Sequence, residues 1–121
     1  MQDSITLTAS DGHSFEVYLA TPAGKPKAAV VVVQEIFGVN AHIKEVADRF
    51  AAAGYLVIAP ALFDRIAPDI TLAYDDDGVA EGRGLKDQAD ANSEFDVKAA
   101  IDHVASAGAV AVVGFCWGGS L

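Results

Sequence analysis

Residues 28–33 read Ala-Ala-Val-Val-Val-Val, apolar at every position, rich in β-branched side chains and too short for a helix. A strand of this kind has no polar face to turn to water, so both of its faces must be covered. Two more runs share the character: Tyr55 to Ala59, ended by Pro60, and Ala109 to Val113. Helical stripes separate them. Behind Asn40, placed as an N-cap, apolar residues fall at Ile43, Val46, Ala47, Phe50 and Ala51, the spacing of a helix laid on a sheet, and Gly54 stops it. The polar stretch 64–84 reads as loop, with a short helix after it. Ser93-x-x-Asp96 then reads as a capping box ahead of Val97, Ile101 and Val104, in a helix that runs to about Ala107 before Gly108. Buried strands alternating with amphipathic helices predict an α/β fold with right-handed parallel crossovers.

Ahead of this core, residues 4–9 and 15–20 alternate apolar and polar side chains around Ser10-Asp11-Gly12, which predicts an antiparallel hairpin. With 121 residues and 52% hydrophobic composition the chain fits one domain with a real core. Its net charge of −9 sets a field that repels nucleic acid and anionic membrane surfaces, so neither is expected as a partner. A lone cysteine, Cys116, builds neither a disulfide framework nor a structural zinc site. Asp75-Asp76-Asp77 with Glu81 lacks the alternating pattern of a Ca²⁺ loop and reads as a solvated acidic loop, so no metal is expected. The start, Met1-Gln2-Asp3-Ser4, has no secretory-signal pattern and no apolar run approaches a membrane span, which predicts a soluble cytoplasmic protein.

Chemistry concentrates at two strand ends. Gly114-Phe115-Cys116-Trp117-Gly118-Gly119 follows the third apolar run and has the G-x-C-x-G form of a nucleophile elbow with Cys in place of Ser. Glycines flank the nucleophile because the two backbone limbs of that strained turn approach closely, and the helix N-terminus that follows favours a thiolate. The bland alternative is a buried Cys116 in an ordinary tight βα turn. Gln34-Glu35-Ile36-Phe37-Gly38 follows the first apolar run. In an α/β-hydrolase layout, oxyanion-stabilising N–H groups come from this loop and from the residue after the nucleophile, here Ile36 and Trp117. Glu35 stands at the C-terminal edge of a buried strand, where open sheets place their sites, and either contacts the thiol or is a solvated or capping carboxylate.

Together, Gln34-Glu35-Ile36-Phe37-Gly38-Val39-Asn40, the Gly54-Tyr55 strand entry and the Cys116 elbow resemble the dienelactone hydrolase family of α/β-hydrolases, in the same order along essentially the whole chain. The resemblance implies a mostly parallel α/β-hydrolase sheet with an N-terminal antiparallel hairpin. It implies a Cys-His-Asp triad, with Cys116 attacking an enol-lactone or ester to form a thioester, and with Glu35 helping to generate the thiolate. The implied substrate is a small anionic lactone or ester, gripped through its carboxylate by Arg83, which is otherwise a salt-bridged surface arginine. No cofactor enters that chemistry.

The α/β-hydrolase triad runs nucleophile, acid, histidine along the chain, and only Trp117 to Leu121 follow Cys116; His13, His42 and His103 all precede it. Residues 1–121 are therefore expected to be the N-terminal part of a single domain, truncated after the nucleophile elbow and inactive alone. The last strand would then expose an apolar edge, open to self-association or to a complementary chain. Two other classes fit less well. A nucleotide-binding module needs G-x-G-x-x-G, which Phe115-Cys116-Trp117 interrupts, and a thiol-redox protein needs a C-x-x-C pair.

Overall fold

A computed structural model describes residues 2–68 and 70–114. The hairpin forms as the alternation predicts: β1 (Gln2–Thr8) pairs antiparallel with β2 (Ser14–Ala20), from Gln2 opposite Ala20 to Thr8 opposite Ser14. The continuous apolar run becomes β3 (Ala29–Val33), buried at every position. β4 (Leu56–Pro60) and β5 (Val110–Gly114) flank it in parallel, and β4 joins the hairpin antiparallel through β2, giving the order β1-β2-β4-β3-β5.

Among the described residues three α-helices connect and cover these strands: α1 (Ala41–Ala52), α2 (Asp76–Ala89) and α3 (Ser93–Val104). The chain steps from β3 to β4 on one side and then to β5 on the other, so right-handed crossovers place α1 and α3 on opposite faces. Alternation along β3 divides its side chains between them. Val30 and Val32 pack with Ile43 and Ala47 of α1, while Ala29, Val31 and Val33 pack with Ala100 and Val104 of α3. This two-sided burial is why β3 carries no polar residue.

Four local expectations are corrected. Pro60 does not end β4 but belongs to it, opposite Val17 of β2. The Ala61 N–H donates to the Glu16 carbonyl at 2.9 Å, so Val17 and Pro60 form a non-hydrogen-bonded pair in which the missing proline N–H costs nothing. The stretch 64–84 is not all loop. A 3₁₀ turn spans Leu62–Arg65, and α2 begins at Asp76, capped by Asp75, whose carboxylate accepts the Gly78 N–H at 2.7 Å. Ser93 and Asp96 form no capping box, because the chain enters α3 from a 3₁₀ turn (Asp90–Asn92) that leaves Ser93 already helical. Its hydroxyl donates back to the Ala89 carbonyl at 2.8 Å. The run ending at Val113 is not fully buried: among the described residues β5 pairs with β3 alone, and Val112 is 49% exposed.

Asp96 serves elsewhere. Arg65 grips its carboxylate through Nε at 3.0 Å and Nη2 at 2.8 Å, and reaches Asp11 at the hairpin turn at 2.8 and 3.2 Å. One guanidinium thus ties the hairpin to α3, with Asp96 fully buried. Burial pushes the Asp96 carboxyl above its usual range and Arg65 opposes this, whereas the Arg65 hydrogen bond holds exposed Asp11 below its usual range.

Candidate active site

The parallel ladder of β3 and β5 runs to Val33 opposite Gly114, so the C-terminal ends of the two strands lie side by side at one edge of the sheet. The β3 exit turns at once. Glu35 and Gly38 form an isolated bridge, closed by a Gly38 N–H to Glu35 carbonyl contact of 3.4 Å, with Ile36 and Phe37 at the two central positions. Gly38 takes φ +87°, and a β-carbon there would collide with the Ile70 carbonyl, so only glycine closes this turn. A turn uses its first carbonyl and its fourth N–H, so the N–H of Ile36 takes no part in the turn's own hydrogen bond.

Residues 70–82 hold this turn position by position. Gly38 bridges to Thr71, the Leu72 N–H donates to the Phe37 carbonyl at 2.9 Å, and Gly82 of α2 abuts the Ile36 carbonyl. Tyr74 closes the set. Its hydroxyl donates to Glu35 Oε1 at 3.1 Å and accepts from Asn40 Nδ2 at 2.9 Å, and its ring lies 4.4 Å from that of Phe37, tilted by 58°. Partial burial raises the Tyr74 phenol above its ordinary pKa; the Asn40 bond opposes this and the Glu35 bond adds to it, so the phenol stays protonated as a donor. Gln34 points the other way: its Oε1 accepts the Leu62 N–H at 2.8 Å and its Nε2 donates to the Glu35 carbonyl at 3.1 Å, anchoring the turn to the core.

A cavity of about 210 Å³ opens behind the turn, lined by Tyr18, Gln34, Val39, Lys44, Ile70 and Thr71 among others. Glu35 and Tyr74 do not line it. Glu35 lies instead in the turn that follows the end of β3, where Tyr74 holds its carboxylate.

Of the residues singled out in the sequence, Glu35 and Ile36 lie together on the turn, while Cys116 and Trp117 lie outside the described residues. Arg83 is on α2 rather than in a variable loop; it is exposed and makes no ion pair among the described residues. It follows Gly82 directly, so it springs from the turn of α2 nearest Ile36. Sequence reasoning missed Tyr74 and Gly82. The available signals were an aromatic residue in a polar stretch and the spacing of Gly78 and Gly82, which puts two side-chain-free positions on one helix face. Among the described residues no cluster of three or more His, Cys, Asp or Glu is arranged to hold a metal, and no helix is long and apolar enough to cross a membrane.

The model of the dienelactone hydrolase family matches residues 15–121. A carboxymethylenebutenolidase of Pseudomonas putida is 32% identical over 132 residues that take in 100% of this chain and 54% of that protein. A Synechocystis sp. relative is 41% identical over 123 residues, covering 94% of this chain and 50% of its own. Among solved structures, a dienelactone hydrolase-like promiscuous phosphotriesterase from metagenomic libraries superposes with a TM-score of 0.69 at 25% identity, over 98% of this chain and 51% of that one. The chain spans about half the length of the curated relatives it matches.

Proposed function

This chain belongs to the dienelactone hydrolase family, and from that premise we propose that it carries the nucleophile and oxyanion-stabilising elements of a lactone or carboxylic ester hydrolase, with Cys116 as the nucleophile. The observation that carries this reading is the strand register. Val33 is paired with Gly114, so Glu35 and Cys116 are each two residues past a paired position on adjacent parallel strands. That matched offset along neighbouring strands supports a reading in which the thiol proton passes to Glu35.

In this reading the substrate carbonyl sits against the Ile36 N–H, which the turn's own hydrogen bond does not use, and the Trp117 N–H. The thiolate adds to the carbonyl carbon, and the oxyanion is stabilised by those donors. Collapse expels the enolate or alkoxide and leaves a thioester on Cys116, which water then hydrolyses. That second step calls for a histidine base and its carboxylate partner, which the α/β-hydrolase chain order puts after the nucleophile. The activity is therefore proposed for a whole hydrolase domain of which residues 1–121 are the N-terminal part. Arg83, exposed and next to the residue that abuts Ile36, is the proposed clamp for a substrate carboxylate. A net charge of −9 gives an anionic substrate no help from afar, so a local cation is required.

The test uses the full-length protein and an aryl ester or enol-lactone. Cys116→Ala is expected to abolish hydrolysis, and retained activity would remove Cys116 from the role. A second reading, pairing of the β5 edge with another copy of this chain, rests on the exposure of Val112 and is tested in the Discussion.

A further inference from the structure

A directional chain of hydrogen bonds leads from the N-terminus of α1 to Glu35. The Ile43 N–H, one of the free donors of the first helical turn, donates to Asn40 Oδ1 at 3.1 Å. That bond fixes which way the Asn40 amide faces, so its Nδ2 is the atom turned to Tyr74, and it donates to the phenol oxygen at 2.9 Å. With its oxygen already accepting, the phenol has one proton to give, and Glu35 Oε1 receives it at 3.1 Å. The ring is held against Phe37, which belongs to the same turn as Glu35. Among the described residues only Oε1 of Glu35 is engaged in this way.

We propose that Tyr74 is a positioning residue for Glu35: by holding Oε1 it presents Oε2 to the thiol of Cys116, so that the thiol proton passes to a carboxylate already in place. This rests on the reading of Glu35 and Cys116 given above. A free glutamate side chain samples several rotamers, most of them directed into water, and the phenol removes that freedom without touching the substrate. The exposure of Tyr74, 61%, does not argue against the role, because the bond orients an ionised partner at the rim of the site.

The experiment compares Tyr74→Phe, Asn40→Asp and Glu35→Gln in the full-length protein, singly and with Tyr74→Phe added to Glu35→Gln. The readouts are kcat and KM for p-nitrophenyl acetate and the rate of Cys116 alkylation by iodoacetamide. Tyr74→Phe keeps the ring on Phe37 and is expected to lower kcat about tenfold, the low end for a hydrogen bond to an ionised group, with KM little changed. Asn40→Asp keeps the helix cap but replaces the amide donor with an acceptor that competes for the phenol proton, so it should reproduce the loss. Alkylation should shift in the same direction as in Glu35→Gln. In the Glu35→Gln background, Tyr74→Phe should add nothing, which a merely structural tyrosine would not show. A wild-type kcat for Tyr74→Phe, or effects that add in the double variant, overturns the proposal while leaving the role of Glu35 intact. If Glu35→Gln itself changes neither kcat nor alkylation, the role of Glu35 and that of Tyr74 fall together.

Discussion

Gly82 stands with its α-carbon directly against the carbonyl of Ile36, so close that a β-carbon at position 82 would overlap that oxygen. The helix therefore docks on the turn that carries the proposed oxyanion donor. Gly82→Ala must push α2 and the turn apart. The expected cost is on the order of 1–3 kcal/mol in urea unfolding, with a loss of roughly 10²-fold in kcat/KM as the Ile36 N–H is displaced. Gly84 is the control: it lies on the same helix with open space around it, and Gly84→Ala should stabilise by about 0.5–1 kcal/mol with activity unchanged.

Arg65→Met leaves Asp96 buried without its counter-charge, and the expected destabilisation at neutral pH is about 3–5 kcal/mol. The pH dependence has a definite sign. Burial already raises the folded pKa of Asp96 above its unfolded value, and losing Arg65 raises it further. A raised carboxyl favours the folded state below the unfolded value and loses that advantage as pH rises through the folded one. The variant should thus recover part of its stability on mild acidification, as denaturant midpoints at pH 7 and pH 5 would show. Arg65→Met with Asp96→Leu should be far less destabilised than Arg65→Met alone at pH 7.

Tyr18 predicts an effect at the other end of the pH scale. Burial, and then donation to Asp48 at 2.7 Å, push its phenol up to about 12 from an ordinary 10.0. The folded state keeps the proton that the unfolded chain begins to lose near pH 10, so stability present below pH 10 is lost as pH rises towards 12. The expected loss is about 2 kcal/mol. Tyr18→Phe should flatten that decline in denaturant midpoints measured across the window.

Val112 is half exposed on β5, whose described pairing is with β3 only. The 121-residue chain is expected to self-associate with rising concentration, and Val112→Lys should shift sedimentation towards the monomer by placing a charge on the strand. A monodisperse wild-type monomer at high concentration would count against edge pairing.

Most of the architecture was legible because burial left a direct imprint on residue type. Ala29 to Val33 are buried on both faces and are apolar without interruption, and Asn40 announces α1 as the cap that it is. The start of α2 was hidden because Asp75, Asp76 and Asp77 look like a solvated loop while acting as a cap and an acidic first turn, and three glycines dilute the helical stripe. Asp96 was misassigned because its partner, Arg65, is 31 residues away, and local spacing carries no trace of such a pair. Glu35 and Ile36 drew attention by their place after β3; Tyr74 did not, since its bond to Glu35 spans 39 residues.

The grip of residues 70–82 on the turn at Glu35 to Gly38 means that this segment is a mould and not a spacer. Loops between a strand and a helix ordinarily absorb insertions and deletions without penalty. Here each residue of the turn is matched to a fixed place in the mould. A single residue added between Ile70 and Gly82 would put the phenol, the bridging threonine and the glycine out of step with one another. Length in this stretch is therefore under tighter constraint than its polar, acidic composition suggests, and exchanges between relatives that preserve length should be tolerated where those that change it are not.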